Sequence, residues 1–407
     1  MKQIVDSVMD WVEVRLPVSK LYEEHMANYY APKNFNFWYY FGSLALFVLV
    51  NQLLTGIWLT MYYSPSGEGA FDSIEYIMRD VEYGWLLRYL HSTGATAFFV
   101  VIYLHMFRGM MYGSYKSPRE LVWLFGMGIY GVLMGEAFFG YLLPWGQMSY
   151  WGAQVILSLV GAVPIVGDDI ALWVRGDYVI SGVTLNRFFA LHVIALPIVL
   201  LGLIVMHLFA LHEVGSSNPD GVEIKEKKDS EGVPLDGIPF HPYYTVKDIV
   251  GVVVFLVVFC AVVFFFPDGG GLILEGPNFE PSSSLKTPEH IAPVWYFTPY
   301  YSVLRAVPNK LGGVIAMGGA IAFLFILPWL DRSPVKSMRY KGWMSKVALT
   351  SFVVSFLILG YLGTQPTSDS KLLAAQFFTI VYFLFFILMP FYTTMETTKP
   401  VPERVTD

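Results

Sequence analysis

Four of the eight histidines fall inside long apolar stretches, and they fall there in pairs. His105 follows His91 by 14 residues and His207 follows His192 by 15. On an α-helix, 14 steps return to within about 40° of the starting face and 15 to within about 60°. Each pair therefore lies on one side of its helix, roughly 21 Å apart along the axis. If the two helices run parallel, His91 can face His192 near one membrane face, and His105 can face His207 near the other. A lone imidazole in a membrane helix is usually an interhelical hydrogen bond. Two matched pairs are different. Imidazole suits iron, copper and zinc, and two imidazoles with no neighbouring carboxylate or thiolate do not make a zinc cage. Two axial imidazoles on a flat porphyrin fit the pattern better. Arg88 and Arg108 each lie one turn outward of a histidine, each toward its own membrane face, where the anionic propionates of such a ring would sit.

The elements that must carry these residues follow from composition. Of 407 residues, 55% are apolar or aromatic, and the 36 glycines raise this to about 64%, against roughly 45–50% in soluble domains. Charged residues are 14%, against about 25%. One cysteine excludes an intrachain disulfide, a Cys-x-x-Cys-His haem attachment and a thiolate zinc site. A net charge of -6 argues against a nucleic-acid partner. An all-α integral membrane protein remains. Eight stretches are long and apolar enough to span, near 37–62, 85–107, 121–143, 185–211, 247–266, 311–330, 343–362 and 373–395. The first four are expected to form a bundle around two haems.

The connections divide the chain. Residues 1–33 read as an amphipathic surface segment, with Asp6, Asp10 and Glu13 interrupting any signal-peptide core. Residues 34–212 form the haem-binding half and 247–407 a second four-span half, with a polar, flexible linker at 213–246 between them. Residues 144–184 suggest short interfacial helices. Residues 267–310, opening on Pro267-Asp268-Gly269, are too rich in proline to span. Eighteen of the 26 Lys and Arg fall on one side when both termini are placed there. That side is then the cytoplasmic or matrix side. Gly42 and Gly56, and Gly126 and Gly140, repeat the interval of 14. Backbone without side chains is what a ring wedged between helices needs, although glycine also serves ordinary helix packing.

The longer motifs, Gly140-Tyr-Leu-Leu-Pro-Trp-Gly-Gln-Met-Ser-Tyr-Trp-Gly-Ala153, 184–192 (TLNRFFALH), 207–219 (HLFALHEVGSSNP), 240–248 (FHPYYTVKD) and 307–317 (VPNKLGGVIAM), resemble the cytochrome b family. Its members are the haem-carrying subunit of the quinol:cytochrome c oxidoreductase, and the eight-span length resembles the bacterial and mitochondrial form. The resemblance implies two non-covalent haems b, the low-potential one on His91 and His192 and the high-potential one on His105 and His207. It implies a quinol-oxidising pocket on the positive side with Gly140, Tyr141, Gly152, Pro293 and Tyr296. It implies a quinone-reducing pocket on the negative side with His212, Lys247 and Asp248. It also implies a Rieske-type iron–sulfur subunit and a c-type cytochrome as partners, a homodimeric complex in contact with lipid, a bacterial inner membrane, and a contribution to the proton gradient.

Two departures stand out. The second histidine pair has a spacing of 15 where the mitochondrial form has 14, so span four needs a compensating distortion, expected near Pro197. The family's Pro-Glu-Trp-Tyr motif reads Pro293-Val294-Trp295-Tyr296, which removes a carboxylate from the quinol pocket. Glu136 is the acidic residue deepest in any predicted span and is a functional candidate by that position. A proton relay through Glu136 is one reading, a structural hydrogen bond a second, and Glu289 in the following loop a third. Two other function classes compete with the redox subunit. A secondary transporter would show paired, broken spans, which are not seen. The haem anchor of a quinone-linked dehydrogenase would be shorter and lack the 144–153 segment.

Overall fold

A computed structural model of the chain describes residues 2–17, 19–20 and 29–406; His25 lies outside them. Eight helices are long and apolar enough to cross a membrane. In order these are span one (Phe37–Thr60), two (Gly84–Tyr112), three (Glu120–Leu142), four (Gly182–Val214), five (Phe240–Phe265), six (Lys310–Leu330), seven (Trp343–Thr364) and eight (Asp369–Ile387). They match the eight apolar runs of the sequence. The last run is cut short: Leu388 breaks it and a separate helix, Met389–Met395, follows with Pro390 in its first turn.

Span one packs on span two and span three on span four, which makes the N-terminal bundle. Spans six, seven and eight pack around the short helix Thr298–Ala306, and span five lies against spans one and two. One apolar core joins the halves, running from Phe99 and Met127 to Leu324, Phe352 and Phe386. In lipid, apolar burial drives little helix association, so close packing and buried hydrogen bonds decide it. Here they include Trp123 Nε1 to the Leu324 carbonyl (2.7 Å), Tyr103 to the Tyr296 carbonyl (2.6 Å) and Tyr130 to Tyr300 (2.9 Å). Such bonds are worth about 0.6 kcal/mol each in a membrane helix bundle.

Span four carries its extra residue as a π-turn. At Leu191–Ala195 the helix widens, and Leu196 N donates to the Leu191 carbonyl, five residues back. Pro197 follows at once. Having no N–H, it could not have closed an ordinary turn onto Val193. The wider turn absorbs one residue, and with it the rotation of about 100° that the spacing of 15 introduces.

The polar segment 213–246 is not a loose linker. Asn218, Asp220 and Asp236 are buried in it. Asp220 accepts from Thr406 N (2.7 Å), Asn34 (3.0 Å) and Arg339 (2.6 Å), and Asp236 accepts from Arg404 (2.7 Å). A two-stranded ribbon pairs Tyr30–Pro32 with Gly237–Pro239. The polarity that suggests flexibility is instead spent on fixed contacts, because buried carboxylates must be paired.

Among the described N-terminal residues, Lys2–Glu13 form a helix with Ile4, Val5, Val8 and Trp11 exposed, in line with an amphipathic surface segment. Residues 144–184 form two short helices, Gln147–Val160 and Gly167–Arg175. The first is sewn to the 267–310 segment. Gly146 pairs with Pro281, Gln147 N donates to the Glu280 carbonyl (3.1 Å), and Ser149 N donates to Asn278 Oδ1 (2.9 Å).

Candidate functional site

The histidine pairs meet as their spacing requires. The His91 and His192 rings lie 6.2 Å apart between centroids, and His105 and His207 lie 6.4 Å apart. A metal between two imidazoles, with bonds of about 2 Å and ring radii of about 1.1 Å, sets the centroids about 6.3 Å apart. His91 opposes His192 and His105 opposes His207, so spans two and four run parallel. Among the described residues no group of three or more His, Cys, Asp or Glu gathers as a metal cage would need.

The outer nitrogens hold the rings in place. His192 Nδ1 donates to the Glu136 carbonyl and His207 Nδ1 to the Val122 carbonyl, both at 2.9 Å. Thr55 gives its hydroxyl proton to the Asn51 carbonyl (2.6 Å), so its oxygen accepts from His91 Nδ1 at 2.9 Å. His105 Nδ1 has no hydrogen-bond partner among the described residues. In three of the four rings Nδ1 carries the proton and Nε2 is left as the ligand, as metal-binding histidines require. Thr55 gave no signal in the sequence; its link to His91 depends on how spans one and two pack.

The four repeating glycines do something more specific than leave space against a ring. A Cβ on Gly42 would come 3.4 Å from His105 Cε1, on Gly56 3.3 Å from His91, on Gly126 3.3 Å from His207, and on Gly140 2.5 Å from His192. Each glycine admits one imidazole. Arg88 and Arg108 are embedded near the two pairs. Arg108 donates to the Ser217 carbonyl (3.2 Å), its Nε has no partner among the described residues, and neither arginine has an ion pair among them. A buried cation without a carboxylate calls for an anion. The donor set, ring separation, glycine clearance and unpaired arginines fit a haem at each pair.

A cavity of about 220 Å³ opens beside the first pair. Its walls include His91, His192, Arg88, Gly56 and Gly140, and also Tyr141, Pro144, Val294 and Tyr296. The space at one haem pair is therefore continuous with the residues expected at a quinol pocket. Gly152 packs near Tyr141, where a Cβ would sit 3.7 Å from the ring. Pro293 precedes the buried Val294, but is not in the cavity wall. Tyr296 stacks on Phe99 at 3.9 Å.

The carboxylates divide differently from expectation. Glu136 lines the cavity, but its Oε1 lies 3.1 Å from His192 Nδ1, on a haem-ligand candidate rather than on Tyr141. Glu289 is exposed and outside the cavity wall. A third acid, Glu275, lines the cavity and accepts a hydrogen bond from the Tyr141 hydroxyl. Burial raises its carboxyl to about 7, with the Tyr141 bond pulling the other way. The apolar run Leu272-Ile273-Leu274 ahead of Glu275 is the signal that could have found it, since it turns the loop back into the interior.

At the opposite end, His212 stacks on Tyr29 (4.5 Å between centroids) and Asp248 accepts from Ser43 (2.9 Å). Lys247 lies over the Tyr244 ring at 5.1 Å. From His212 an aromatic run passes through Tyr29 to Phe240 and Tyr244 at the start of span five, at 5.9 and 6.1 Å. His212, Lys247 and Asp248 share one end of the bundle.

Eight spans and two opposed imidazole pairs define a class, the helical membrane proteins built to bind haem. Within it the chain belongs to the cytochrome b family. Residues 26–215 match the family model described as cytochrome b/b6/petB, and residues 281–383 the one described as cytochrome b(C-terminal)/b6/petD. The chain is 61% identical over 406 residues to cytochrome b of Allochromatium vinosum, covering 98% of each. It is 47% identical over 401 residues to cytochrome b of Rhodospirillum rubrum, covering 98% of this chain and 96% of that one. A chain of a hyperthermophilic respiratory Complex III superposes with a TM-score of 0.88 at 41% identity, covering 95% of this chain and 99% of that one.

Proposed function

We propose that this chain is the quinol-oxidising and quinone-reducing core of a quinol:cytochrome c oxidoreductase in a bacterial inner membrane, with both termini on the cytoplasmic side. The observation that carries the reading is the single cavity shared by His91 and His192 with Tyr141 and Tyr296. Such a cavity sets a substrate ring near a redox centre. When bound, two haems supply one-electron transfer across the membrane, between a pocket where quinol gives up electrons and one where quinone takes them.

The rest follows from the chain's own residues. His91 and His192 would hold one haem and His105 and His207 the other, Arg88 and Arg108 would offer cations to their acid groups, and Gly42, Gly56, Gly126 and Gly140 leave room for the four imidazoles. Tyr141 and Tyr296 line the positive-side pocket, with Gly152 behind Tyr141 and Pro293 beside the lining Val294. His212, Lys247 and Asp248, at the far end, offer donors and acceptors to a quinone taking up protons. The paired segments 144–184 and 267–310 carry Ile165, Trp173 and Leu285 almost fully in the open. Exposed apolar side chains on ordered loops suit a docking surface, here for a mobile Rieske-type iron–sulfur head. A c-type cytochrome accepts electrons from that head, and the complex is a homodimer.

The test is rapid mixing of the oxidised, assembled complex with quinol while the b-type absorbance is followed. Both haems should become reduced, and a His212→Leu chain should keep reduction through the Tyr141 pocket while losing reoxidation by quinone. Haems that quinol does not reduce would refute the reading.

A further inference from the structure

The missing carboxylate at Val294 leaves a chemical gap in the quinol pocket. A neutral quinol gives up electrons readily only after a hydroxyl proton has left, and the proton needs a base within hydrogen-bond reach. Val294 lines the cavity and has nothing to offer. We propose that Glu275 is that base, taking the proton from quinol bound against Tyr141 and passing it to water outside; this rests on the reading of the cavity as a quinol-oxidising pocket.

Geometry supports this in three ways. Glu275 reaches the same cavity wall as Val294 and Tyr296, from a different part of the loop. Its carboxylate is held there by the Tyr141 hydroxyl, so it is fixed rather than free to swing out. The next two residues, Gly276 and Pro277, are exposed, so the chain reaches the surface directly after this cavity-lining acid. The loop is anchored three residues on, where Asn278 accepts from Ser149 N (2.9 Å) and donates to Ser149 Oγ (3.0 Å). Glu136 lacks this position. It sits deeper, against His192, on the haem side of the cavity.

The step balances as a simple acid–base transfer. The quinol O–H bond breaks with its electron pair staying on oxygen, an O–H bond forms on Glu275, and the products are a quinol anion and a neutral carboxylic acid. Oxidation of that anion is the work proposed above for the complex. The titratable and charged groups that line the cavity with Glu275 are Tyr141 and Glu136 from span three, Tyr296 from the loop, Tyr63 just after span one, Arg88 and His91 from span two, and His192 from span four. Burial, then the nearby Glu275 charge, keep the Tyr296 hydroxyl protonated well above its ordinary range. With its carboxyl raised to about 7, Glu275 is the base poised near neutrality on the outlet side.

The test uses the assembled complex with both haems retained, as judged by its reduced-minus-oxidised spectrum. Quinol oxidation is followed through reduction of a c-type cytochrome across pH 5.5–9. Glu275→Gln should slow it by about a hundredfold and erase the rise in rate centred near pH 7. Reduction of the haems from the His212 end should be unchanged. Adding Val294→Glu to Glu275→Gln should restore the rate. Tyr141→Phe removes a bond that favours the carboxylate, so its rise should move to higher pH, which gives a reading even if Glu275→Gln does not assemble. A Glu275→Gln complex with the unaltered rate and pH profile overturns the proposal, as does loss of the pH 7 rise in Glu136→Gln alone. An unaltered complex that does not oxidise quinol refutes instead the reading of the pocket.

Discussion

The Glu136 carboxylate lies 3.1 Å from His192 Nδ1, while the N–H of that nitrogen donates to the Glu136 backbone carbonyl at 2.9 Å. Negative charge beside the outer nitrogen of a metal-binding imidazole favours the oxidised metal. Glu136→Gln is therefore expected to raise the midpoint potential of the haem held by His91 and His192. A full charge on that carboxylate, at an effective dielectric constant near 20, sets an upper value on the order of 100 mV. The haem at His105 and His207 should not move. A titration in which both midpoints stay in place would show that Glu136 has no hold on the ligand.

Gly140 offers a steric test. A Cβ there would stand 2.5 Å from His192 Cε1, whereas one on Gly131, in the same span, meets nothing within 4 Å. Gly140→Ala should lose or weaken the haem at His91 and His192, and Gly131→Ala should leave the spectrum untouched. Equal haem content in the two variants would disprove the clearance role.

A buried ionic cluster ties the halves together at the end of the bundle that carries the 213–246 segment. Asp331 accepts from Lys341, from Tyr115 (2.7 Å) and, as an ion pair, from Lys116 (3.2 Å), and its side chain is fully enclosed. Burial alone would raise its carboxyl, but Lys341 and Lys116 together hold it below the ordinary value of 3.8. A depressed folded-state value gives stability that is present above about pH 4 and lost as the pH falls below it. Asp331→Asn should cost about 3–5 kcal/mol, the usual result of stripping one partner from a buried pair. Thermal denaturation of the detergent-solubilised complex at pH 7 measures it; an unchanged midpoint would contradict the cluster's role.

Much of this is legible in the sequence because hydrophobic length and the 3.6-residue period are local properties. The eight spans, the facing histidine pairs and the glycines at the interval of 14 all follow from counting along one helix. The spacing of 15 announces a distortion in span four, and the π-turn appears at Leu191–Ala195, just ahead of Pro197, where a missing N–H had suggested one. What is not legible depends on pairings across the chain. Glu275 enters the cavity because Gly146 to Ser149 bind Asn278 to Pro281, more than a hundred residues away. Glu136 stands out as a rare buried acid, but its direction toward His192 depends on how spans three and four meet. The 213–246 segment reads as flexible because its acids have no visible partners in sequence; Arg404 and Thr406 supply them from the other end of the chain.

The central claim is two bis-histidine haem sites, one on each side of the membrane. A potentiometric titration of the b-type absorbance in the assembled complex tests it most directly. Two one-electron components of equal amplitude are expected, and His207→Leu should remove one and leave the other, held by His91 and His192. A single component in the unaltered complex, or two surviving in His207→Leu, would contradict the account.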